Sequence, residues 1–234
     1  MFLSQEQFIL KVKSKNFEQL ESELITKFSS SNLTTLILNQ VPDTNLECLI
    51  DANSNLNYTF NLNQNSKLKL VLITKNIDSD FNFNLEINLQ ADKANFELFF
   101  LNQQTSNNLS LNLQINHLES NTISKTLIKS INQNNSKFQA NGTIYIAKKA
   151  VNSEAKMNLK GLLIDKNSQI IFQPNLKILE SQVSCSHGAT ISNFDEVYLE
   201  YFSSRGITTT IAKQILTNSF KTEITQEVAL VCLS

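Results

Sequence analysis

The sequence predicts an all-β core, and two observations lead to this prediction. First, apolar and polar residues alternate in runs such as 56–62, 81–89 and 109–115, which is the period of half-buried strands. Second, such runs recur about every 10 to 14 residues between about 33 and 180, with Asn-, Ser- and Asp-rich breaks and no helical pattern between them. A sandwich, a barrel and a β-solenoid all fit this spacing. Repeated Asn at the breaks, without Pro-Gly turns, favours a parallel β-helix.

Helical patterns flank this core, so we divide the chain into three parts. Residues 1–32 carry apolar residues at helical spacing and predict a short N-terminal helical segment. Residues 33–190 form the predicted β-helix core. Residues 191–234 return to helical spacing and predict a C-terminal helical segment.

Helix-capping residues indicate where the C-terminal helices begin and end. Ser192 and Asp195 have the spacing of a capping box at the start of a first helix. Gly206 suits the left-handed conformation that ends such a helix. A second helix is expected to begin at Thr208.

Composition restricts the classes of function. With 20 Lys and Arg against 21 Asp and Glu, the net charge of −1 gives no reason to expect nucleic-acid binding. No apolar run approaches the roughly 18 residues that span a bilayer, and the N-terminus lacks a signal-peptide pattern, so we expect a cytoplasmic protein without membrane contact. Cys48, Cys185 and Cys232 are widely separated, which predicts reduced thiols and no structural zinc site. Many of the abundant Asn residues are interpreted as neutral surface choices.

Cys185 and His187 are the strongest candidates for chemistry. They lie two residues apart near the end of a predicted strand, so their side chains share a face with Cα atoms about 6.6 Å apart. A thiolate and an imidazole can share a soft metal ion, or the imidazole can lower the pKa of the thiol. Two ligands do not complete a metal site, so a metal would need more donors, for example from another chain. The alternative is a buried thiol beside a structurally satisfied histidine.

Other residues allow only weaker hypotheses. A Cys185 and His187 nucleophilic pair lacks an identifiable residue that orients the histidine. His117 is expected at the surface. No phosphate-binding glycine loop is present, so we do not expect this chain to hydrolyse ATP.

The C-terminal helices also carry candidate partner-binding residues. Tyr198, Tyr201, Phe202 and Arg205 are residue types that suit interface cores, although amphipathic helices pack inward more often than outward. Phe220 has the same two interpretations.

A family resemblance is carried by residues of the C-terminal half. These are Cys185-Ser186-His187-Gly188-Ala189-Thr190, Asp195-Glu196, Tyr201-Phe202-Ser203-Ser204-Arg205-Gly206-Ile207, Ala212, Phe220 and Glu223, and the specific resemblance extends upstream to Phe138. Together they resemble the C-terminal signature of the SufB/SufD family of iron–sulfur cluster assembly proteins. Because SufB proteins usually carry Glu after the histidine, His187-Gly188 resembles the SufD branch. The chain also lacks the extra cysteines of the SufB scaffold.

The resemblance implies a fold and an assembly. The fold is a right-handed parallel β-helix with a single-stranded solenoid core and short helical segments at the N- and C-termini. The implied role is that of a non-catalytic subunit that pairs with a SufB paralogue and binds the SufC ATPase, whose ATP-driven dimerisation rearranges the interface between SufB and SufD. A homodimer of the isolated chain remains open. The alternatives are a SufB-like cluster scaffold and, more remotely, a β-helix enzyme acting on polysaccharide.

The resemblance also implies roles for residues. Cys185 and His187 match the SufD residues at the SufB interface, where iron acquisition or cluster formation takes place. Any metal at these two residues would be shared with the partner chain. Iron or an iron–sulfur cluster is expected only transiently in the complex, and no cofactor is expected to bind stably to this chain alone. The residues expected to contact the ATPase are Tyr198, Tyr201, Phe202, Arg205, Gly206 and Phe220.

Overall fold

The computed structural model describes residues 11–13, 33–39, 44–51, 55–75 and 80–233, with side chains over residues 57–74 and 80–227. The strands are β1 (Lys11–Lys13), β2 (Leu33–Asn39), β3 (Thr44–Asp51), β4 (Asn55–Leu62), β5 (Lys67–Lys75), β6 (Phe81–Leu89), β7 (Asn95–Gln104), β8 (Asn108–His117), β9 (Ile123–Asn132), β10 (Lys137–Ile146), β11 (Glu154–Leu163), β12 (Gln169–Ile178) and β13 (Ser184–Asn193). The helices are α1 (Glu196–Ser204) and α2 (Thr209–Leu233). The described part of the chain consists mainly of strands, which confirms the mainly β class.

The strands wind into a β-solenoid of about 5 turns, as the sequence predicts. One sheet has the order β1-β2-β5-β7-β9-β11-β13, and the other has the order β12-β10-β8-β6-β4-β3. From β4 and β5 onward, neighbouring strands within each sheet are parallel. Each turn therefore supplies one strand to each sheet, and the core lies between the two sheets.

The first turns are paired differently. β2 is antiparallel to β5, and β3 is antiparallel to β4, whereas β1 is parallel to β2. The helical segment predicted for residues 1–32 lies outside the described residues, apart from Lys11–Lys13, which form β1.

Alternation of buried and less buried residues builds the core. In β10 every second residue from Phe138 to Ile146 is buried. An aromatic row crosses successive turns: the ring centroids of Phe83 and Phe100 are 6.5 Å apart, and those of Phe100 and Phe138 are 6.0 Å apart. Phe138 meets Phe172 of the last turn edge-on at 6.2 Å. Each such pair contributes about 0.5–1.5 kcal/mol beyond simple burial.

Asparagine shapes the corners and one outer face of the solenoid. Among the described non-glycine residues, positive φ angles occur at Lys93 and at six Asn residues in the turns, namely Asn65, Asn107, Asn121, Asn134, Asn135 and Asn152. Asn tolerates this left-handed conformation better than most residues because its short polar side chain bonds locally. On the six-stranded sheet, Asn57, Asn84, Asn112 and Asn141 form an amide ladder with N···O distances of 2.6, 2.7 and 2.9 Å. The interpretation of Asn as a neutral surface choice is therefore wrong at these positions.

His117 is buried, so its expected surface position is wrong. Its side chain ends the inward-facing series of β8 and is 0% exposed. Its Nδ1 and Nε2 atoms lie 2.8 Å from the hydroxyl oxygens of Thr122 and Ser124. Burial lowers the pKa of His117 to about 4, so the imidazole is neutral at pH 7. Both ring nitrogens nevertheless have hydrogen-bonding partners.

The helices follow β13 after two residues. Asp195 caps α1, and its carboxylate accepts a hydrogen bond from the backbone N–H of Val197 at 2.9 Å. The predicted capping role of Ser192 is wrong, because Ser192 belongs to β13 and its hydroxyl donates to the carbonyl of Gly161 at 3.3 Å. Gly206 has a φ of 76°, as predicted for the residue that ends the helix.

α2 covers part of the outer face of the seven-stranded sheet. It begins at Thr209, one residue after the predicted start. Its contact with the sheet is an apolar cluster of Val71, Phe99, Leu101, Leu127, Ile131, Leu162 and Ile224. Over the part of the chain that the structure describes, neither helix combines the length and the apolar character needed to cross a membrane.

Candidate functional site

The last strand, β13, carries both candidate ligands. It pairs with β11, and within the described residues it has no neighbour on its other side. Cys185 is in register with Ala155, and His187 is in register with Met157. Because Ala155 and Met157 are buried on the inner face of β11, the register places Cys185 and His187 on the inner side of the open end.

Cys185 is shielded by the core. The side chain is half-buried and packs against the main hydrophobic cluster. Burial raises the pKa of the Cys185 thiol, while a backbone hydrogen bond at Ala155 acts in the opposite direction. The thiol form is therefore favoured at neutral pH, and a nucleophilic or metal-binding role requires a change in the surroundings of this residue.

His187 is exposed, whereas Cys185 is half-buried. The described residues contain no group of three or more His, Cys, Asp and Glu side chains able to hold a metal ion. Cys185 and His187 are therefore only two candidate ligands, which do not complete a metal site. The outer edge of β13, which has no partner within the described residues, could accept a strand from another polypeptide.

Gly188 follows the histidine without a steric requirement for glycine. A Cβ atom built at this position would meet only Asn158 Oδ1, at an ordinary distance of 3.7 Å. Packing within this chain therefore does not explain the glycine that distinguishes His187-Gly188 from a His-Glu pair.

α1 presents an exposed apolar surface. Val197, Tyr198 and Tyr201 are 69%, 58% and 56% exposed, and the helix has no buried residue. The guanidinium carbon of Arg205 lies 5.4 Å from the centre of the Tyr201 ring. Ile211, on the first turns of α2, is also exposed. We call these five exposed residues of the helix pair the helical surface.

Phe202 and Gly206 have structural roles at the end of α1. Phe202 is half-buried, and its carbonyl accepts from the backbone N–H of Ile207 at 3.0 Å. The N–H of Gly206 bonds to the carbonyl of Ser203 at 2.9 Å. These two bonds form a Schellman motif, which sets the angle between α1 and α2.

Phe220 lies apart from the helical surface. It is half-buried on α2 and packs against the apolar cluster over the chain's own sheet. The ammonium nitrogen of Lys129 lies 5.1 Å from the centre of its ring. The structure thus brings Tyr198, Tyr201 and Arg205 together but places Phe220 on the side of α2 that faces the sheet.

Sequence reasoning did not identify two parts of this region. Val197 and Ile211 extend the helical surface, and their exposure could not be distinguished from burial by helical spacing alone. Lys129, on β9, was also missed because a lysine on a strand is normally solvated.

A groove connects β13 with α2. It has a volume of about 330 Å³ and is lined on one side by Ser186, His187 and Gly188. Glu223 of α2 lines it on the other side. The strand that carries His187 and the second half of α2 therefore border the same groove.

Comparison with curated proteins finds several similar chains. The iron–sulfur cluster assembly protein SufD of Escherichia coli is 33% identical over 103 residues, which are 44% of this chain and 24% of that protein. The iron–sulfur cluster assembly protein SufB of Bacillus subtilis is 29% identical over 114 residues, which are 49% of this chain and 24% of that protein.

A SufBD family protein of Synechocystis is 30% identical over 92 residues, which are 39% of this chain and 20% of that protein. The matching segments thus span a quarter or less of the length of these relatives. A much larger part of this chain, residues 50–220, matches the family model described as SUF system FeS cluster assembly, SufBD core domain, and the chain belongs to this family.

Proposed function

We propose that this chain is a SufD-like, non-catalytic subunit of a cytoplasmic SUF complex that assembles iron–sulfur clusters. In this complex it pairs with a SufB paralogue and binds the SufC ATPase. The observation that carries the proposal is the position of Cys185 and His187 on one face of an end strand whose second edge is unpaired within the described residues.

The open end suits a shared assembly site. A SufB paralogue that adds a strand beside β13 would extend the seven-stranded sheet and bring its own ligands next to Cys185 and His187. Iron or a nascent cluster is the cargo of such a site, held transiently between the chains. Without the partner, the same edge is available to a second copy of this chain, and a homodimer of the isolated chain would form there.

The helical surface suits the ATPase. Val197, Tyr198 and Tyr201 expose apolar and aromatic area, and Arg205 adds a cation over one ring. Tyr and Arg are enriched in the cores of protein interfaces. Phe202 and Gly206 support this surface by fixing the turn after α1, and Phe220 anchors α2 from the sheet side.

Co-expression with a SufB paralogue and the ATPase tests the partners. We expect a complex that contains all three chains. Tyr201→Ala together with Arg205→Ala is expected to remove the ATPase while the SufB paralogue remains bound. Recovery of neither partner with the unchanged chain would contradict the proposed function.

Anaerobic cluster assembly in the complex tests the candidate ligands. His187→Ala is expected to slow assembly by at least about tenfold, since loss of even an outer partner of a metal ligand costs about 10- to 100-fold. Cys185→Ala should have a similar effect. Ser186→Ala, on the opposite face of the same strand, is the matched control and should assemble clusters at the normal rate. Normal assembly by both ligand variants would rule out their proposed role.

A SufB-like cluster scaffold is the second candidate. The similarity to the Bacillus subtilis SufB protein over 49% of this chain favours it. A scaffold would accept a cluster without its paralogue, whereas a SufD-like subunit would not. Anaerobic reconstitution of the isolated chain, followed by ultraviolet–visible absorption, distinguishes the two.

A further inference from the structure

A cleft separates the first half of α2 from the region where β7, β9 and β11 end. Its volume is about 700 Å³, compared with about 330 Å³ for the groove between β13 and α2. Its apolar lining consists of Ile131, Ile164 and Phe194, which belong to the cluster between α2 and the sheet. Small-molecule sites usually have volumes of about 300–1,000 Å³ and combine apolar lining with a few polar groups. We call this space the helix cleft.

The wall that α2 contributes to the helix cleft carries two lysines. Lys213 and Lys221 line it together with Thr217, which is four residues from each, so the three residues lie along one stripe of the helix. Both lysines are half-buried, and the ammonium nitrogen of Lys213 lies 5.4 Å from the centre of the Phe194 ring. None of the described residues that line the cleft is Asp or Glu. The cleft is therefore positively charged.

The two halves of α2 carry opposite charges. Residues 209–222 contain Lys213 and Lys221 and no acidic residue, whereas Glu223 and Glu227 lie in the turns that follow. Both glutamates form ion pairs with lysines of the sheet. Cations stabilise a helix near its C-terminus rather than near its N-terminus, so the macrodipole does not account for Lys213. Ion pairing with the sheet thus explains the acidic half of α2, and the basic half calls for a different explanation.

The opposite wall of the helix cleft supplies neutral hydrogen-bonding groups. Gln103, near the end of β7, and Gln133, directly after β9, line the cleft and are half-buried. A glutamine side chain offers a donor and an acceptor at once, and this pair matches two adjacent atoms of an adenine edge. The helix cleft therefore combines cations, apolar surface and amide groups, which are the features that suit a phosphate, an aromatic ring and the polar edge of that ring.

We propose that the helix cleft binds an adenine nucleotide. The phosphate lies between Lys213 and Lys221, whose half-buried ammonium groups form charge-assisted hydrogen bonds with it. The base lies against the apolar lining, and the two glutamines contact its polar edge. The proposal concerns binding and includes no reaction of the nucleotide. It is independent of the proposed function, because it requires neither a SufB paralogue nor the ATPase.

Isothermal titration calorimetry of the full chain tests this inference with AMP, adenosine and inorganic phosphate as probes. We expect saturable binding of one AMP per chain, and binding at least about tenfold weaker for adenosine and for phosphate, because each lacks one part of the recognised structure. Lys213→Met and Lys221→Met keep the apolar stem and remove the charge. Each variant should weaken AMP binding by about tenfold or more, through the loss of a charge-assisted hydrogen bond.

Lys125→Met is the matched control. Lys125 of β9 also lies 5.4 Å from the centre of a phenylalanine ring, that of Phe99, but it lines the groove between β13 and α2 instead of the helix cleft. This variant should bind AMP as the unchanged chain does. Melting temperatures provide a second readout, since a ligand of the folded state stabilises it. AMP should raise the melting temperature of the unchanged chain and of Lys125→Met, and should raise that of Lys213→Met less.

The outcomes distinguish a nucleotide site from a charged surface. Equal affinity for AMP and inorganic phosphate would show that the helix cleft recognises only an anion, and would overturn the proposed ligand. If Lys125→Met weakened AMP binding as much as Lys213→Met, the binding would reflect general surface charge and the site would be refuted. Lack of saturable AMP binding by the unchanged chain would overturn the inference and leave the proposed function unaffected.

Discussion

The inner turns and the last turn of the solenoid are built from strands of equal length with opposite burial. β10 and β13 each contain ten residues, yet β10 buries every second residue whereas β13 buries none. The difference arises from position, because β10 has strands on both sides and β13 has one neighbour in the described part of the sheet. Burial in the inner turns therefore stabilises the fold. In the last turn, packing within this chain does not determine which residue occupies each position.

Cys185 and Met157 illustrate this division. Both lie on inward-facing positions of adjacent strands, but Met157 is 2% exposed and Cys185 is only half-buried. Substitutions in the last turn should thus affect assembly more than folding, and substitutions in the inner turns should do the reverse.

The largest expected contrast is between two phenylalanines of the aromatic row. Phe138→Ala removes a fully buried ring between two aromatic neighbours and should lower the free energy of unfolding by about 3–5 kcal/mol. Phe172→Ala, in the last turn, removes a half-buried ring and should cost about 1–2 kcal/mol. Urea denaturation of both variants measures the difference. Equal losses would show that the last turn is packed as tightly as the inner turns.

The second contrast is between His117 and His187, in how each affects the dependence of stability on pH. Folding lowers the pKa of His117 from 6.5 to about 4, so the unfolded chain takes up a proton in this interval and the folded chain does not. Stability is therefore complete above pH 6.5 and falls as the pH drops toward 4, by about 3 kcal/mol in total. His117→Gln should flatten this part of the curve of unfolding free energy against pH.

His187→Gln is the control from the last turn. Since the slope comes from the buried imidazole, this variant should retain it. A slope between pH 4 and 6.5 that persists in His117→Gln would assign the pH dependence to other groups.

Much of the inner fold was predictable because its periodicity is strict. The alternation from Leu109 to Ile115 continues to His117, so the same pattern that identified β8 also indicated an inward-facing histidine. The polar character of histidine suggested a surface position for His117, but the alternation of the strand correctly indicated a buried one. Asn at the breaks likewise predicted corners, whereas the amide ladder through Asn84 and Asn112 was not predictable, because it requires the register between turns.

The last turn was less predictable for a physical reason. Cys185 and His187 were placed on one face by their spacing, but their unequal exposure depends on how far the core extends under the end strand, because only Cys185 packs against it. The difference between Phe220 and Tyr201 arises in the same way. Both belong to amphipathic helices, and only the docking of α2 on the sheet determines which aromatic ring faces inward.

The smallest expected contrast is between two strand glycines. A Cβ atom at Gly142, in the inner turns, would lie 2.4 Å from Met157 Sδ and 2.8 Å from its Cε, whereas one at Gly188 would meet nothing closer than 3.7 Å. Gly142→Ala should destabilise the protein by about 1 kcal/mol, because Met157 is flexible enough to absorb part of the overlap. Gly188→Ala should be neutral or stabilising by about 0.5 kcal/mol, through the lower entropy of its unfolded chain.

Combining Gly142→Ala with Met157→Ala sharpens this comparison. If the overlap with Met157 causes the loss, Gly142→Ala should cost nothing further, or should stabilise, in the Met157→Ala background, and a double-mutant cycle of thermal unfolding measures this coupling. Additive losses would place the constraint at Gly142 in the backbone instead. Gly142→Ala should leave cluster assembly unaffected, so this substitution in an inner turn would alter stability alone. Any effect of Gly188→Ala should then appear in assembly with the partner chain rather than in folding, because the space beside Gly188 lies at the end of the solenoid.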